Sequence, residues 1–333
     1  MNTFKKQYGQ FYTTNYKKIL KGFNIPDDID NIIEPFAGNC DLINFLENKN
    51  YNLELYDIDP QNKEVIKRDT LLNPPNYSEK FILTNPPYLA RNKSNNKEIY
   101  DKYNQNDLYK CFIKQIINCK CKGGILIIPL NFFCSIIKND INLRKEFLDK
   151  YSIIRLNIFE ESIFEDTDYT ICSFQFEINK DKEININTFI YPNEKNIIIN
   201  SYIIGKELYD LVNNPNIKIS RLTKENEKSE YKTNILVKCI DDKTKINAKY
   251  YSNFSDISQY IDKTDNLSFR SYMILVIEPK IDENKQIELV NKFNKFLNEK
   301  REQYHSLFLT NYRENNRKRI SFSLVFSLIN NLI

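Results

Sequence analysis

Asn85-Pro86-Pro87-Tyr88 combines residue types suited to holding a planar primary amine. Two consecutive prolines remove two N–H donors and stiffen the turn. The carbonyl between them, on Pro86, is thereby fixed as an acceptor, and the Asn85 side-chain oxygen is a second. Two acceptors match the two N–H donors of one NH₂ group. Holding both protons localises the nitrogen lone pair and aims it at an electrophile. Tyr88 offers a flat face on which a ring can stack. Adenine, cytosine and a glutamine amide all present a planar NH₂; Asn at position 85 favours adenine or glutamine. The plainer reading, a rigid proline turn after a strand, has to be weighed against the rest of the chain.

Upstream lies Glu34-Pro35-Phe36-Ala37-Gly38-Asn39-Cys40-Asp41, which joins an apolar strand pattern to a helical one. That is where a cofactor loop sits, and Gly38 lets the backbone approach a ligand closely. Asp57 ends the next strand pattern and can accept from ribose hydroxyls. Asp69 ends the third and can accept from an adenine amino group. Acids often end strands as solvated caps, so each is weak evidence alone. In this order and spacing they predict one cofactor site shared with the Asn85 loop.

Short apolar runs alternating with amphipathic segments must position these groups. Strands are expected at 32–33, 53–56, 81–83, 125–129, 153–159 and 170–176. Helices are expected through Leu42–Leu46, near Asn62–Lys67, and over 108–117 and 143–148. This is an α/β pattern with a parallel sheet, and it places Asn85 at the carboxyl end of a buried strand, where open sheets bind ligands. Beyond about residue 180 the rhythm stops. Short strands at 188–191 and 197–199, a polar loop over 220–232 and a strand at 272–277 follow. A long helix capped by Asp282, with Ile287, Val290, Phe293 and Leu297 inward, and a last helix over 320–332 complete a smaller α+β domain. The expected domains are 1–182 and 183–333.

These residues resemble the gamma-class N6-adenine DNA methyltransferases, over about residues 7–178. Gly9-Gln10-Phe11-Tyr12-Thr13 is similar to the motif covering the methionine end of S-adenosylmethionine. Asp107-Leu108-Tyr109 and Gly123–Pro129 are similar to later segments of that fold, and Phe164 matches an aromatic that contacts an extruded base. The resemblance implies a Rossmann-like S-adenosylmethionine-dependent methyltransferase domain. It implies Thr13, Glu34, Pro35, Phe36, Ala37, Gly38, Asp57, Ile58, Asp69 and Asn85 as cofactor contacts, with Glu34 facing the methionine amino group. Asn85, Pro86, Pro87, Tyr88 and Phe164 are implied as the catalytic set. The family usually has Gly where Cys40 stands, a departure expected to narrow the cofactor loop or weaken binding. Only sixteen positions separate Asp69 from Asn85, so a DNA-reading domain has to follow the catalytic one.

In that C-terminal part, Tyr312–Arg319 gathers Arg313, Arg317, Lys318 and Arg319 beside asparagines, a composition that can read base edges and neutralise phosphate. Arg91 and Lys93 follow the catalytic loop and are expected to touch the nucleic-acid backbone. A solvated helix start and an exposed loop are the plainer readings of these two groups. A net charge of +4 permits nucleic-acid binding without demanding it. Seven cysteines at irregular spacings and a single histidine, His305, argue against a metal centre and for reduced thiols. The first residues lack a signal-peptide run, and no stretch reaches the roughly 18 apolar residues of a membrane span. The expectation is an intracellular protein, of cell or virus, acting on double-stranded DNA as monomer or homodimer, alone or beside a separate endonuclease. The rival substrates are a protein glutamine amide and RNA adenine, and the remaining alternative is a non-catalytic nucleic-acid binder.

Overall fold

A computed structural model describes residues 12–46, 50–164, 169–178, 185–200, 204, 209, 211–253, 258–261, 271–311 and 316–333. The chain divides into two compact units, Met1–Gly205 and Lys206–Ile333.

The first unit is built on nine strands: β1 (Asn31–Glu34), β2 (Asn52–Asp57), β3 (Ile66–Lys67), β4 (Phe81–Thr84), β5 (Gly123–Pro129), β6 (Tyr151–Phe159), β7 (Ile171–Ile178), β8 (Asn185–Tyr191) and β9 (Lys195–Asn200). Their order is β3-β2-β1-β4-β5-β7-β6-β8-β9. β1 to β5 run parallel, whereas β7 is antiparallel to both β5 and β6. The sheet is therefore mixed, not purely parallel. The central strands are continuous apolar runs, as strands covered on both faces must be. Every residue of β4 and β5 is buried. At Gly123 and Gly124 an added Cβ would lie 2.5 Å from the Phe176 and Ile82 carbonyl oxygens, so these positions let β7 and β4 approach β5. Phe132, Phe133, Phe147, Phe174 and Phe176 form an aromatic cluster with centroid distances of 5.0–6.1 Å. It clamps the helix Lys138–Leu148 onto β6 and β7.

Two expectations are corrected in this unit. No helix forms near Asn62–Lys67; only Val65 in that stretch is buried, too few apolar positions to hold a helix on the sheet. The strands after residue 182 also belong to the large sheet, since β8 pairs parallel with β6 and β9 with β8. The compact unit consequently runs on to Gly205, past the expected boundary at 182/183.

The second unit carries a four-stranded antiparallel sheet of β10 (Lys218–Arg221), β13 (Tyr272–Glu278), β11 (Lys232–Lys238) and β12 (Asn247–Tyr250). A two-stranded ribbon joins β14 (Thr310–Asn311) to β15 (Lys318–Arg319). Asp282 caps the long helix Glu283–Tyr304, accepting from the Lys285 amide at 2.9 Å. Val290, Phe293 and Leu297 are buried as expected, together with Leu289, while Ile287 is 39% exposed and lies off that face. Ser321 caps the final helix Phe322–Leu332. Among the described residues no helix is long and apolar enough to cross a membrane, and no group of His, Cys, Asp or Glu is arranged to hold a metal ion.

Candidate active site

β1 leads to β2 on one side, and after β3 the chain crosses back to β4 on the other side of β1. The strand order reverses there, and such a switch point leaves a crevice at the carboxyl ends of the parallel strands. Glu34 ends β1, Asp57 ends β2, Asp69 follows β3 and Asn85 follows β4, so four strand ends deliver the four predicted polar groups to one edge. A cavity of about 510 Å³ opens there, lined by Phe36, Gly38, Asp57, Ile58, Asp69, Asn85, Pro87 and Lys93 among the predicted residues. That volume is within the range of small-molecule sites. Tyr12 and Leu108, each part of a motif quoted above, also line it; Leu89 and Tyr100 do too and went unnoticed in the sequence, because as apolar or aromatic residues they read as core.

The cofactor-type loop is held from several sides. Gly38 has φ +51°, and its amide donates to Asp57 Oδ2 at 2.9 Å. Asp57 Oδ1 accepts from the Asp59 amide at 2.8 Å, and the Ala37 amide donates to the Tyr56 carbonyl. Asp57 is thus committed to shaping the loop as well as facing the cavity. Pro35 accepts from the Thr70 hydroxyl at 3.0 Å, which ties the first loop to the loop after β3. Asp69 Oδ1 accepts the amides of Leu71 and Leu72, both at 3.0 Å.

Glu34 is the electrostatic anomaly. It is 2% exposed, and its Oε2 has no hydrogen-bond partner among the described residues. Burial, then the nearby Asp41 and Asp57 carboxylates, push its carboxyl well above the usual range. A buried acid with an orphaned oxygen is costly unless a cationic or donor group completes it.

Cys40 adopts φ +64°, the left-handed region that favours glycine. Its side chain packs toward Ala37, Leu55 and Val65 and is not among the cavity-lining residues. The expected narrowing of the loop is therefore not seen; the substitution is felt in the backbone. Cys40→Gly should raise stability by up to about 1 kcal/mol, seen as a higher unfolding temperature, because relief of the left-handed strain outweighs the half-buried thiol's packing.

Asn85 is buried, and its amide nitrogen donates to Thr13 Oγ1 at 3.1 Å. The Thr13 backbone amide in turn bonds the Asp41 carboxylate. Thr13 thereby links the N-terminal segment to both functional loops; Gly9, Gln10 and Phe11 lie outside the described residues. Pro86 is buried and Pro87 half-buried. Tyr88 departs from expectation. Its ring is 4% exposed and meets Tyr109 edge-to-face at 6.1 Å. Its hydroxyl is placed to donate to Asn85 Oδ1 and to the Ile127 carbonyl, the latter at 2.8 Å. A buried phenol needs a partner, and these acceptors draw it inward, so no ring face is presented to the cavity. Phe164 is also buried, 6% exposed, and is not among the lining residues.

The loop after Tyr88 is pinned to the start of the helix Leu108–Asn118. The Leu108 amide donates to the Leu89 carbonyl and the Arg91 amide to the Asn106 carbonyl. Asp107, the residue before this helix, is nine-tenths buried, and its Oδ1 has no partner among the described residues. Burial raises its pKa to about 7, against the opposing pull of Lys110 and the backbone amides of Tyr109, Leu108 and Leu89. A raised carboxyl pKa favours the neutral form in the fold. Its stabilising contribution is complete below the unfolded value of 3.8 and is lost as pH rises through about 7. Asp107→Asn should remove this slope, worth about 4 kcal/mol at most across the window, in urea unfolding measured from pH 4 to pH 8.

The predicted nucleic-acid contacts are mixed. Lys93 is exposed and lines the cavity. Arg91 pairs with Asp101 at 2.5 Å and is 42% exposed. Lys318 is 3% exposed, with its ammonium on the Ser306 carbonyl and Asn311 Oδ1, both at 2.5 Å, and so is interior rather than phosphate-facing. Arg317 and Arg319 are half-buried; Arg317 Nε donates to the Asp241 carbonyl at 2.9 Å, and Arg319 pairs in β15. Arg313 lies outside the described residues. The Asp241 carboxylate, bidentate on Arg301, organises this corner of the second unit.

Residues 12–164 match the model of a family described as Eco57I restriction-modification methylase, somewhat less than half of the chain. The matched span runs from Tyr12 to Phe164 and includes Thr13, Glu34, Asp57, Asp69 and Asn85. This segment is similar to DNA methylases of restriction-modification systems. Among solved structures, the type I restriction-modification methyltransferase subunit from Streptococcus thermophilus is 14% identical, with a TM-score of 0.40 over 58% of this chain and 51% of that one. The M protein of the type I restriction enzyme EcoKI is 14% identical, with a TM-score of 0.39 over 54% and 48%. DrdV, solved as a DNA complex, is 12% identical, with a TM-score of 0.41 over 68% and 33%. The chain thus spans about half the length of these proteins, or less. No curated protein sequence matches it.

Proposed function

We propose that this chain is an S-adenosylmethionine-dependent DNA methyltransferase that modifies the N6 amino group of adenine at a specific site. The observation that carries the reading is that one topological switch point brings together the end of β1, where the buried Glu34 carboxyl has an oxygen without a partner among the described residues, and the end of β4, where Asn85 and Pro87 line the cavity. The methylase family match on the same residues supports it.

The chain's own groups fit the cofactor by their chemistry. Glu34 would receive an ammonium, Asp57 ribose hydroxyls and Asp69 an adenine amino group, with Pro35, Phe36, Ala37, Gly38 and Ile58 as the loop and walls and Thr13 closing the methionine end. When bound, S-adenosylmethionine supplies an electrophilic methyl group. The target adenine leaves the duplex, at a cost of a few kcal/mol. Asn85 Oδ1 and the Pro86 carbonyl accept its two N–H bonds and orient the nitrogen lone pair. Rate enhancement then comes from positioning and fixed dipoles, with no covalent enzyme intermediate. Tyr88 and Phe164 would flank the extruded base once Tyr88 swings out and releases Asn85 Oδ1.

DNA reading is assigned to the second unit, Lys206–Ile333, which includes Arg313, Arg317 and Arg319, with Arg91 and Lys93 touching the backbone beside the catalytic loop. Double-stranded DNA is the partner, and a separate cognate endonuclease the companion activity. Equal masses of duplex DNA, RNA and glutamine-containing protein, incubated with methyl-labelled cofactor, test the substrate class. Label in duplex DNA alone is expected; label confined to RNA or protein would replace this reading with one of those substrates, and cofactor binding without transfer would indicate a non-catalytic binder.

A further inference from the structure

The loop Asp69–Leu72 forms one wall of the cavity and has no regular secondary structure. Its two inner amides, of Leu71 and Leu72, are taken by Asp69 Oδ1. Its carbonyls are taken from outside, by side chains distant in sequence. Gln115 Nε2 donates to the Thr70 carbonyl at 2.9 Å. The Tyr103 hydroxyl donates to the Leu71 carbonyl at 2.7 Å, and Lys102 Nζ to the carbonyls of Leu71 and Leu72 at 3.1 and 2.7 Å. Gln115 also contacts the hydroxyls of Tyr77 at 3.1 Å and Tyr103 at 3.3 Å.

Gln115 is 4% exposed on the helix Leu108–Asn118, where its neighbours Cys111, Phe112, Ile113 and Ile116 are fully buried. Packing alone would favour an apolar side chain at that position, since an amide without partners costs about 1–3 kcal/mol when buried. Here each polar group of Gln115 finds a partner, and one of them is the backbone beside Asp69. Fixing three consecutive carbonyls prevents the loop from sliding, which leaves the Asp69 carboxylate in one position with Oδ2 as its remaining acceptor.

We infer that Gln115 and Tyr103, with Lys102, are positioning residues that give the site its selectivity for a purine bearing a 6-amino group, by holding Asp69 as a fixed acceptor. This rests on the cofactor reading above. A carboxylate oxygen attracts an amino donor and repels a 6-oxo group, and a site built to hydrogen-bond one group rejects the analogue lacking it.

The test is calorimetric binding of S-adenosylhomocysteine and of its 6-oxo analogue, S-inosylhomocysteine. The full chain is compared with Gln115→Met, which keeps bulk and loses both hydrogen-bonding groups, and with Tyr103→Phe, which deletes one hydroxyl. The unsubstituted protein should prefer the amino compound by at least about tenfold, or 1.4 kcal/mol. Both variants should lower that preference to less than about threefold, by weakening the amino compound more than the oxo compound. Equal weakening of both compounds would show a merely structural role and overturn the inference, as would an unchanged ratio. Absence of S-adenosylhomocysteine binding by the unsubstituted protein would instead contradict the cofactor reading. If Gln115→Met fails to fold, Tyr103→Phe alone decides, because it removes no packing volume beyond one oxygen.

Discussion

Asn85→Ala is expected to lower methyl transfer by about 10²–10³-fold while changing cofactor affinity less than about threefold. The asymmetry follows from where Asn85 stands. Its side-chain oxygen is one of two fixed acceptors at the end of β4, and acceptors placed in advance act on the charge that develops at the amine during reaction. Its amide nitrogen, by contrast, donates to Thr13 Oγ1 in the N-terminal segment. Alanine deletes the acceptor without opening the cofactor loop, which Gly38, Asp57 and Thr70 hold independently. The Tyr88 hydroxyl retains the Ile127 carbonyl as partner, so no new orphan is created there. Single-turnover transfer and cofactor titration on the same preparation separate the two quantities. Equal loss in both would place Asn85 in binding rather than in the reaction.

Glu34→Gln is expected to weaken S-adenosylmethionine binding roughly 10- to 100-fold, the value of a hydrogen bond to a charged group. Buried, partnerless at Oε2 and facing the fields of Asp41 and Asp57, Glu34 holds its proton above the normal range in the free protein. An arriving ammonium favours the ionised form, so binding releases that proton and affinity should rise with pH until Glu34 is ionised unaided. Glutamine cannot titrate, and the variant's affinity should lose this dependence. The same substitution affects stability with a definite sign. Because the folded carboxyl binds its proton more tightly than the unfolded one, its contribution is full at acid pH and is lost as pH rises through the raised value. Glu34→Gln should flatten that part of the stability profile. Calorimetric titrations at several pH values, in two buffers of different ionisation enthalpy, would reveal the released proton; pH-independent binding by the unsubstituted protein would remove Glu34 from this role.

Much of the first unit was legible in the sequence. Gly123–Pro129 was legible because seven consecutive residues with two glycines and no charge fit only a strand buried on both faces. The order Glu34, Asp57, Asp69, Asn85 placed four polar groups at successive strand ends, and the sheet order brings them to one edge. Other features depend on contacts between distant residues. Asn185–Tyr191 opens with alternating polar and apolar side chains and ends in the run Phe189-Ile190-Tyr191, a pattern that suits an outer strand of either unit, and only its pairing with β6 assigns it. Tyr88 was expected to present its ring, but the acceptor that draws it inward belongs to β5, 39 residues away. Gln115 carries no signal in the sequence, because its chief partner, Thr70, is 45 positions distant. In Tyr312–Arg319, clustered charge suggested exposure, yet Lys318 is drawn inside by Ser306 and Asn311. Composition reports how many cations a segment has, whereas the partners that a side chain such as Lys318 finds decide whether it faces inward.

The most direct measurement is nucleoside mass spectrometry of unmethylated duplex DNA after incubation with the purified chain and methyl-labelled S-adenosylmethionine. The account predicts labelled N6-methyl-2′-deoxyadenosine, absent with Asn85→Ala. Label found instead on cytosine, or DNA left unlabelled by a chain that demonstrably binds the cofactor, would contradict it.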